Sequence, residues 1–386
     1  MDNQFSPWPS YSQQEADVIQ EVLLSNKVNY WTGTECRKFE KEFALWSNSK
    51  YAVTLANGSV ALDAAFQALE IGKGDEVIVT SRTFIASISS IINAGAIPKF
   101  ADVDLDSQNI TPKNISKVIT EKTKAIVCVH LAGWPCDMKE ILELAHANDL
   151  YVIEDCAQAH GAKYKGKSVG SIGHIGCWSF CQDKIITTGG EGGMITTNDD
   201  SLWRKIWAYK DHGKSYEAVY ERKHPKGFRW LYESFGTNLR MTEMQAAIGR
   251  IQLKRMSDWH NKRINNANRI WNTARQCELL RAPMLPKNIE HAAYKCYVFV
   301  RGGINLRNKI LLEINEKGVP CFSGSCSEVY LEKAFDNDNL RPKVRLPNAK
   351  ELGETSLMFL IHPTLTEEEI NKTCDVLTKV AISNFG

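Results

Sequence analysis

The stretch YAVTLANGSVALDAAFQALE, residues 51–70, reads as a strand, a turn and a helix. Tyr51 to Leu55 is a short apolar run of the kind that a buried parallel strand requires. Asn57, Gly58 and Ser59 interrupt it, and from Ala61 onward the apolar residues recur at spacings of three and four. The same alternation continues outward. Val77–Thr80, Pro98–Val103, Ala125–His130 and Tyr151–Glu154 are further strand candidates, and ASISSIINAG (86–95) and MKEILELAHAND (138–149) are helix candidates closed by Gly or Asn-Asp. This rhythm predicts an α/β fold with a mostly parallel sheet and helices on both faces.

Further along, Cys177–Phe180 and Met194–Thr197 look like two more strands. Residues 212–236, HGKSYEAVYERKHPKGFRWLYESFG, have no clean period and read as a long functional loop. Residues 241–276 sustain a helical pattern long enough to join two domains. YKCYVFVRG (294–302) then reads as a strand, NKILLEINEKG (308–318) as a helix, and TEEEINKTCDVLTKVAI (366–382) as a closing helix with Thr366 as N-cap. The expected division is an N-terminal arm and large domain over 1–260 and a smaller C-terminal α/β domain over 261–386.

The bulk numbers suit an ordinary globular protein. The chain has 386 residues, 43% hydrophobic and 24% charged, with 47 Lys and Arg against 45 Asp and Glu. A net charge of +2 gives no general reason to expect nucleic acid. The opening MDNQFSPWPSYSQQEADV has no basic segment followed by an apolar one, and no later run reaches bilayer length, so a cytoplasmic protein without a membrane role is expected. The 11 cysteines are scattered and form no C-x-x-C pair. Cys177 with Cys181, or Cys321 with Cys326, are the pairs to consider, but reduced thiols are expected, with no disulfide and no metal.

The chemistry concentrates in CWSFCQDKIITTGGEGGMITTND, residues 177–199, where Lys184 sits beside a cluster of glycines. Alone, Lys184 reads as a solvated surface lysine. Gly189, Gly190, Gly192 and Gly193 imply, however, that backbone turns sharply or closely approaches something. Asp155 ends a candidate parallel strand, where open α/β sheets bind ligands, although Asp after a strand is also common turn chemistry. Gly58 and Ser59 open a helix whose first amides would face an anion, and Ser59 equally reads as an N-cap. Together, an anion cradle, an acid able to pair with a ring nitrogen and a lysine able to form a Schiff base are the parts that pyridoxal 5'-phosphate requires.

The chain resembles, end to end, the DegT/DnrJ/EryC1/StrS family of nucleotide-sugar aminotransferases, which have the aspartate-aminotransferase-like fold type I. The matching pieces are NYWTGTECRKFEKEFA (29–44), ANGSVAL (56–62), RTFIAS (82–87), HLAGWPCDM (130–138), EDCAQAHGA (154–162), SFCQDKIITTGGEGGMITTND (179–199), GTNLRMTEMQAAIG (236–249) and IHPTLTEEEI (361–370). Their number and order make the resemblance specific.

The resemblance implies that Lys184 holds the cofactor as a Schiff base and then shuttles a proton during amino transfer, with L-glutamate leaving as 2-oxoglutarate. It implies that Asp155 pairs with the pyridine nitrogen, that Gln158 lies near the 3'-oxygen and that Phe84 stacks on the ring, a core phenylalanine being the alternative. Gly58, Ser59 and Ser179 would bind the phosphate. His160 matches a position near the ring, with a purely structural histidine as the competing reading. Asn238 matches a residue that reaches the phosphate from a neighbouring subunit, which implies a homodimer with shared active sites. Tyr30, Trp31 and Gly33 match a segment bordering the sugar site. Lys226 and Arg229 are candidates for the nucleotide diphosphate, with ordinary solvated charges as the favoured reading.

Some positions depart from the family pattern. TTGGEGG has one glycine more than the commoner form, which implies a local loop change, and Leu239 and Trp134 stand where other residues are usual, as candidates to tune substrate shape. Relatives that remove a sugar hydroxyl carry histidine where this chain has Lys184, so amino transfer is expected. The expected substrate is UDP-4-keto-6-deoxy-N-acetylglucosamine, aminated at C4 for a bacterial surface polysaccharide such as O-antigen lipopolysaccharide. A dTDP- or GDP-linked keto-sugar aminated at C3 or C4 is the alternative within the class, and a non-catalytic regulator or sensor on the same fold is the alternative outside it.

Overall fold

The computed structural model describes residues 5–324, 327–336 and 340–385. Its centre is a seven-stranded sheet made of β1 (Tyr51–Leu55), β2 (Glu76–Thr80), β3 (Ile97–Ala101), β4 (Thr123–Val129), β5 (Tyr151–Asp155), β6 (Ile175–Ser179) and β7 (Gly193–Thr197). The spatial order is β1-β7-β6-β5-β4-β2-β3. Four of the six pairings are parallel, and the two made by β7, with β6 and with β1, are antiparallel. The exception has a local cause. The earlier strands are joined by crossovers long enough to return the chain in parallel, whereas β6 and β7 are joined by an irregular segment that carries Lys184 and returns directly.

Apolar residues cover both sheet faces. Val53, Val77, Val79, Val127 and Ile153 pack with the helix Gly58–Ala68 on one side. Ile78, Ile126, Cys128 and Val152 pack with the helix Met138–Ala147 on the other. Every residue of β2, β6 and β7 is buried, which is why these strands read as unbroken runs rather than alternating ones.

A second, antiparallel sheet is built from Leu280–Arg281, Cys296–Val300, Ser356–Phe359 and Cys321–Phe322, in that order. It forms a separate core with the helices Met256–Arg275, Gly303–Glu316 and Glu367–Ser383. The last of these begins at Thr366, which caps it with Glu369 in a reciprocal capping box. The helical pattern over 241–276 is two helices, Glu243–Lys254 and Met256–Arg275, interrupted at Arg255, whose guanidinium is tied to Glu15 at 2.7 Å. The proposed boundary at 260/261 therefore falls inside the second helix. The N-terminal arm packs Phe5 against the smaller core, and its Pro7 carbonyl accepts from Thr364 at 2.8 Å.

Residues 212–236 are irregular apart from a short helix, Tyr216–Tyr220. The excursion is closed at its base by bridges between Asp211 and Asn238 and between Lys214 and Tyr232. No helix among the described residues is long and apolar enough to cross a membrane.

The end of β5 holds the central sheet in register with its loops. Glu154 is fully buried, and its carboxylate accepts from the amides of Gly170 (2.9 Å), Ile172 (2.9 Å) and Gly173 (2.6 Å) and pairs with His130 Nε2 at 3.0 Å. His130 Nδ1 accepts from the Cys136 amide at 3.0 Å, so Nε2 carries the proton given to Glu154. Glu154→Ala strands these donors in the interior and is expected to cost about 3–5 kcal/mol. Urea unfolding followed by tryptophan fluorescence checks this, and a loss below about 1 kcal/mol would mean that the 170–173 loop finds other acceptors.

Candidate active site

A cavity of about 570 Å³ opens at the carboxyl ends of the central strands. The helix Gly58–Ala68 points its N-terminus at it. Asn57, not Ser59, is the N-cap, since its side chain accepts from the Val60 amide at 3.0 Å. Ser59 is therefore one residue inside the helix, and its exposed side chain and the Gly58 backbone line the cavity. The first amides of a helix have no acceptor within it, so this end presents N–H groups and a partial positive charge. Ser179, at the end of β6, stands against Gly58 so closely that a Cβ there would lie 2.6 Å from the serine Cβ.

Asp155 ends β5 on the face opposite Glu154. Its Oδ1 accepts from the Ala157 amide at 3.1 Å, which is the turn chemistry expected of Asp after a strand. Oδ2 accepts from Ser87 Oγ at 2.7 Å, and Ser87 shares a 2.8 Å hydrogen bond with Thr83. The carboxylate is thus buried and fixed, with Ser87 and Thr83 as supports. Gln158 accepts from the Ala132 amide at 2.8 Å, which sets the orientation of its carboxamide. Phe84 is 62% exposed at the mouth, unusual for a large apolar ring and suited to covering something flat.

Lys184 also lines the cavity, with its side chain largely covered. Its carbonyl accepts from Trp8 Nε1 at 2.9 Å, so the N-terminal arm pins the backbone of this segment. Gly189 and Gly190 follow in the left-handed region (φ 83° and 116°), where the segment reverses towards β7. Gly58, Ser59, Phe84, Asp155, Gln158, Ser179 and Lys184 thus share one cavity.

The other candidates do not line it. His160 is fully buried between the rings of Trp178 and Phe180, and burial, with Lys184 and Arg263 nearby, pushes it down to about 3. It is a neutral packing residue. Tyr30 is buried under Lys210, whose Nζ lies 3.7 Å from the ring centroid and 3.8 Å from Glu40. Trp31 donates to Asp211 at 2.7 Å, and Gly33 packs on the Glu243 side chain. Asn238 is exposed, and its Oδ1 accepts from the Arg240 amide at 3.3 Å. Arg229 is exposed on the 212–236 excursion. Trp134, edge-on to His291, and Leu239, whose carbonyl accepts from Ala56, also lie off the cavity wall. Cys177 and Cys181 are free thiols on it, Cys321 is free and buried, and Cys326 lies outside the described residues.

Asp183 and Tyr294 line the cavity without having been marked in the sequence, as do Thr83, Ser87 and Glu191. Asp183 adjoins the lysine, but Tyr294 lies 111 residues further along and meets it only through the fold.

Residues 9–378 match the DegT/DnrJ/EryC1/StrS aminotransferase family. The chain belongs to that family. The X-ray structure of an aminotransferase from Psychrobacter cryohalolentis aligns with 99% of this chain and 100% of its own, at 64% identity and a TM-score of 0.97. GDP-perosamine synthase of Escherichia coli O157:H7 is 35% identical, covering 96% of each chain. The UDP-N-acetyl-3-dehydro-alpha-D-glucosamine 3-aminotransferase of Acidithiobacillus ferrooxidans is 34% identical over 92% of this chain and 91% of its own. This DegT-family chain is a sugar aminotransferase of fold type I dependent on pyridoxal 5'-phosphate.

The residues present fit that cofactor. The cavity joins a helix N-terminus and a serine hydroxyl to a fixed buried carboxylate and a primary amine, and the Gly58–Ser179 approach leaves no space for a side chain between the two. Gly58→Ala forces them apart at a cost of about 1–3 kcal/mol, and where that cost falls on the cradle the Kd for pyridoxal phosphate is expected to rise by about 5- to 150-fold. Fluorescence titration of the cofactor-free variant measures it, and an unchanged Kd would show that the helix shifts without disturbing the cradle.

Proposed function

We propose that this chain transfers an amino group from L-glutamate to the keto carbon of a nucleotide-linked 4-keto-6-deoxy sugar, with Lys184 as the catalytic residue. The observation that carries the reading is the joint placement of Lys184, Asp155 and the Gly58–Ala68 helix N-terminus on one cavity. Pyridoxal phosphate, when bound, supplies an electron-accepting ring. Gly58, Ser59 and Ser179 hold its phosphate through amides and hydroxyls. Asp155 would pair with the pyridine nitrogen and favour its protonated form, and the bond from Ser87 prevents the carboxylate from turning away. Gln158 would serve the 3'-oxygen, and exposed Phe84 would cover the ring. Lys184, once its amine is free, would serve as the base that moves a proton at the reacting carbon, first for the donor and then for the sugar.

The 212–236 excursion supports the proposal of a homodimer with shared sites. Phe228 (76%), Trp230 (80%) and Phe235 (102%) are exposed along it, an apolar concentration that a monomer rarely presents to water. Asn238 stands exposed at its base, where a second subunit would bring it to the neighbouring phosphate, while Arg240 is held there by Asp211 at 2.8 Å. Tyr30 and Trp31 act indirectly in this reading, by bracing the base through Lys210 and Asp211.

For the sugar, we propose UDP-4-keto-6-deoxy-N-acetylglucosamine, aminated at C4. The Acidithiobacillus relative, named for a UDP-N-acetylglucosamine derivative, supports the nucleotide and the acetamido group, though its name places the amine at C3. The relative named GDP-perosamine synthase favours a GDP-linked substrate as the second reading.

The test records visible absorbance with added pyridoxal phosphate before and after L-glutamate, in wild type and Lys184→Ala, and then offers UDP-, GDP- and dTDP-linked keto-sugars. A lysine-dependent band that glutamate removes and one keto-sugar restores is the expected result. Lys184→Ala is expected to lower turnover by about 10²–10⁴-fold or more. A wild-type band unmoved by glutamate would overturn the choice of donor.

A further inference from the structure

Tyr294 lies on the cavity wall, just before the strand Cys296–Val300 of the smaller core. Two ammonium groups lie over its ring, Lys184 Nζ at 5.2 Å and Lys295 Nζ at 4.8 Å from the centroid. Its hydroxyl donates to Oδ2 of Asp183, and Oδ1 of the same carboxylate is 3.6 Å from Lys184 Nζ. Behind them Arg263 is buried, and its Nε and Nη2 have no hydrogen-bond partner among the described residues. The Trp8 ring covers its guanidinium at 4.8 Å. A buried cation without a carboxylate is costly, and so its positive field is a conspicuous feature of this side of the site.

We propose that Asp183 and Tyr294 are positioning residues that hold the Lys184 amine at the cavity wall whenever it is not bonded to the cofactor, while Lys295 and Arg263 set positive charge against them. This rests on the role of Lys184 proposed above. Such a device answers a conflict in the reaction. A freed lysine has a flexible four-carbon stem and must stay within reach of the reacting carbon, which a counter-ion and an aromatic face achieve. A counter-ion acting alone would also keep the amine protonated and useless as a base.

The surrounding charges fit opposed forces. Burial pushes Lys295 down to about 8 against the pull of Asp183, with Arg263 and Lys184 adding to the push. Burial works to raise Asp183, but Lys184, Tyr294 and Lys295 outweigh it and hold the carboxyl below its usual range. Asp155, Glu191 and Cys181 also face the cavity, and neutral His160 lies behind it.

The test is run on cofactor-free protein. Acylation of Lys184 by an amine-selective ester is measured against pH by peptide mass spectrometry, which reports the pKa of the amine itself. Asp183→Asn removes the carboxylate and should lower that pKa by about one unit, at the small end of ion-pair shifts because Asp183 is 54% exposed. Tyr294→Phe keeps the ring, frees the carboxylate and should lower it less. Lys295→Met removes an opposing cation and should raise it. In the loaded enzyme the acidic limb of the kcat–pH profile should move the same way for each variant. Curves that do not move, or that move in the same direction for Asp183→Asn and Lys295→Met, overturn the proposal. Labelling needs no cofactor, so such a failure is distinct from a failure of amino transfer, which absorbance reads separately.

Discussion

The site depends on a carboxylate that takes no part in it. Glu154 is buried at the end of β5 and is satisfied by three backbone amides and the imidazole of His130. Burial of that charge is tolerable only because every donor converges on it. The 170–173 loop leading into β6 is fixed by this arrangement, as is the turn after β4, through the Cys136 amide on His130. Successive strand residues point to opposite faces, so anchoring Glu154 on one face leaves Asp155 on the other, at the cavity. His130, Glu154 and Cys156 have ligand atoms within 4.8 Å of one another, but the carboxylate is already surrounded by donors, and the arrangement reads as a structural anchor rather than a metal site.

Around that anchor the fold brings distant segments to one place by different means. The Gly58–Ala68 helix arrives with an anion-binding terminus because Asn57 takes the capping role. Lys184 arrives on the direct connection that makes β7 antiparallel, and Trp8 on the N-terminal arm fixes its carbonyl. Tyr294 arrives from the edge of the smaller core, so the position of that core bears on the environment of the lysine. A displacement of the arm or the smaller core would reach Lys184 through these contacts without touching Asp155.

What the sequence made legible is what local pattern controls. Apolar runs place all seven central strands to within a few residues, and Asp155 at the end of one of them is a signal contained within a short window. The side-chain surroundings were not legible. EDCAQAHGA puts Asp155, Gln158 and His160 within six residues, yet the turn directs the first two to the cavity and His160 into the aromatic core. Tyr30 and Trp31 look like binding aromatics because nothing nearby in sequence reveals Lys210 and Asp211, which occupy them. Ser87 and Thr83 carried a readable hint, four residues apart beside Phe84, but their target is 68 residues beyond Ser87. The break at Arg255 was hidden because both helices keep good helical composition across it.

The charge on the cavity wall bears on how complete a single chain is. Asp155, Asp183 and Glu191 line the cavity against one described cation on the wall itself, Lys184, with Lys295 and Arg263 set behind it around Tyr294, and in the proposed role that lysine bonds the cofactor. The phosphate cradle proposed for this chain offers neutral amides and hydroxyls, assisted by a helix terminus worth about half a unit charge. A phosphate dianion and a nucleotide diphosphate together bring more negative charge than that can offset. Cations exist nearby in sequence but not on this wall, since Arg229 and Arg240 belong to the 212–240 region, whose exposed aromatics face away from any described core. A second subunit that covered those aromatics and turned Asn238 into the neighbouring cavity would relieve an apolar excess and add a phosphate donor in a single contact, Arg240 being already paired with Asp211 at 2.8 Å. The two deficits have separate physical origins, hydration of rings and electrostatics of phosphate, and both support the same assembly.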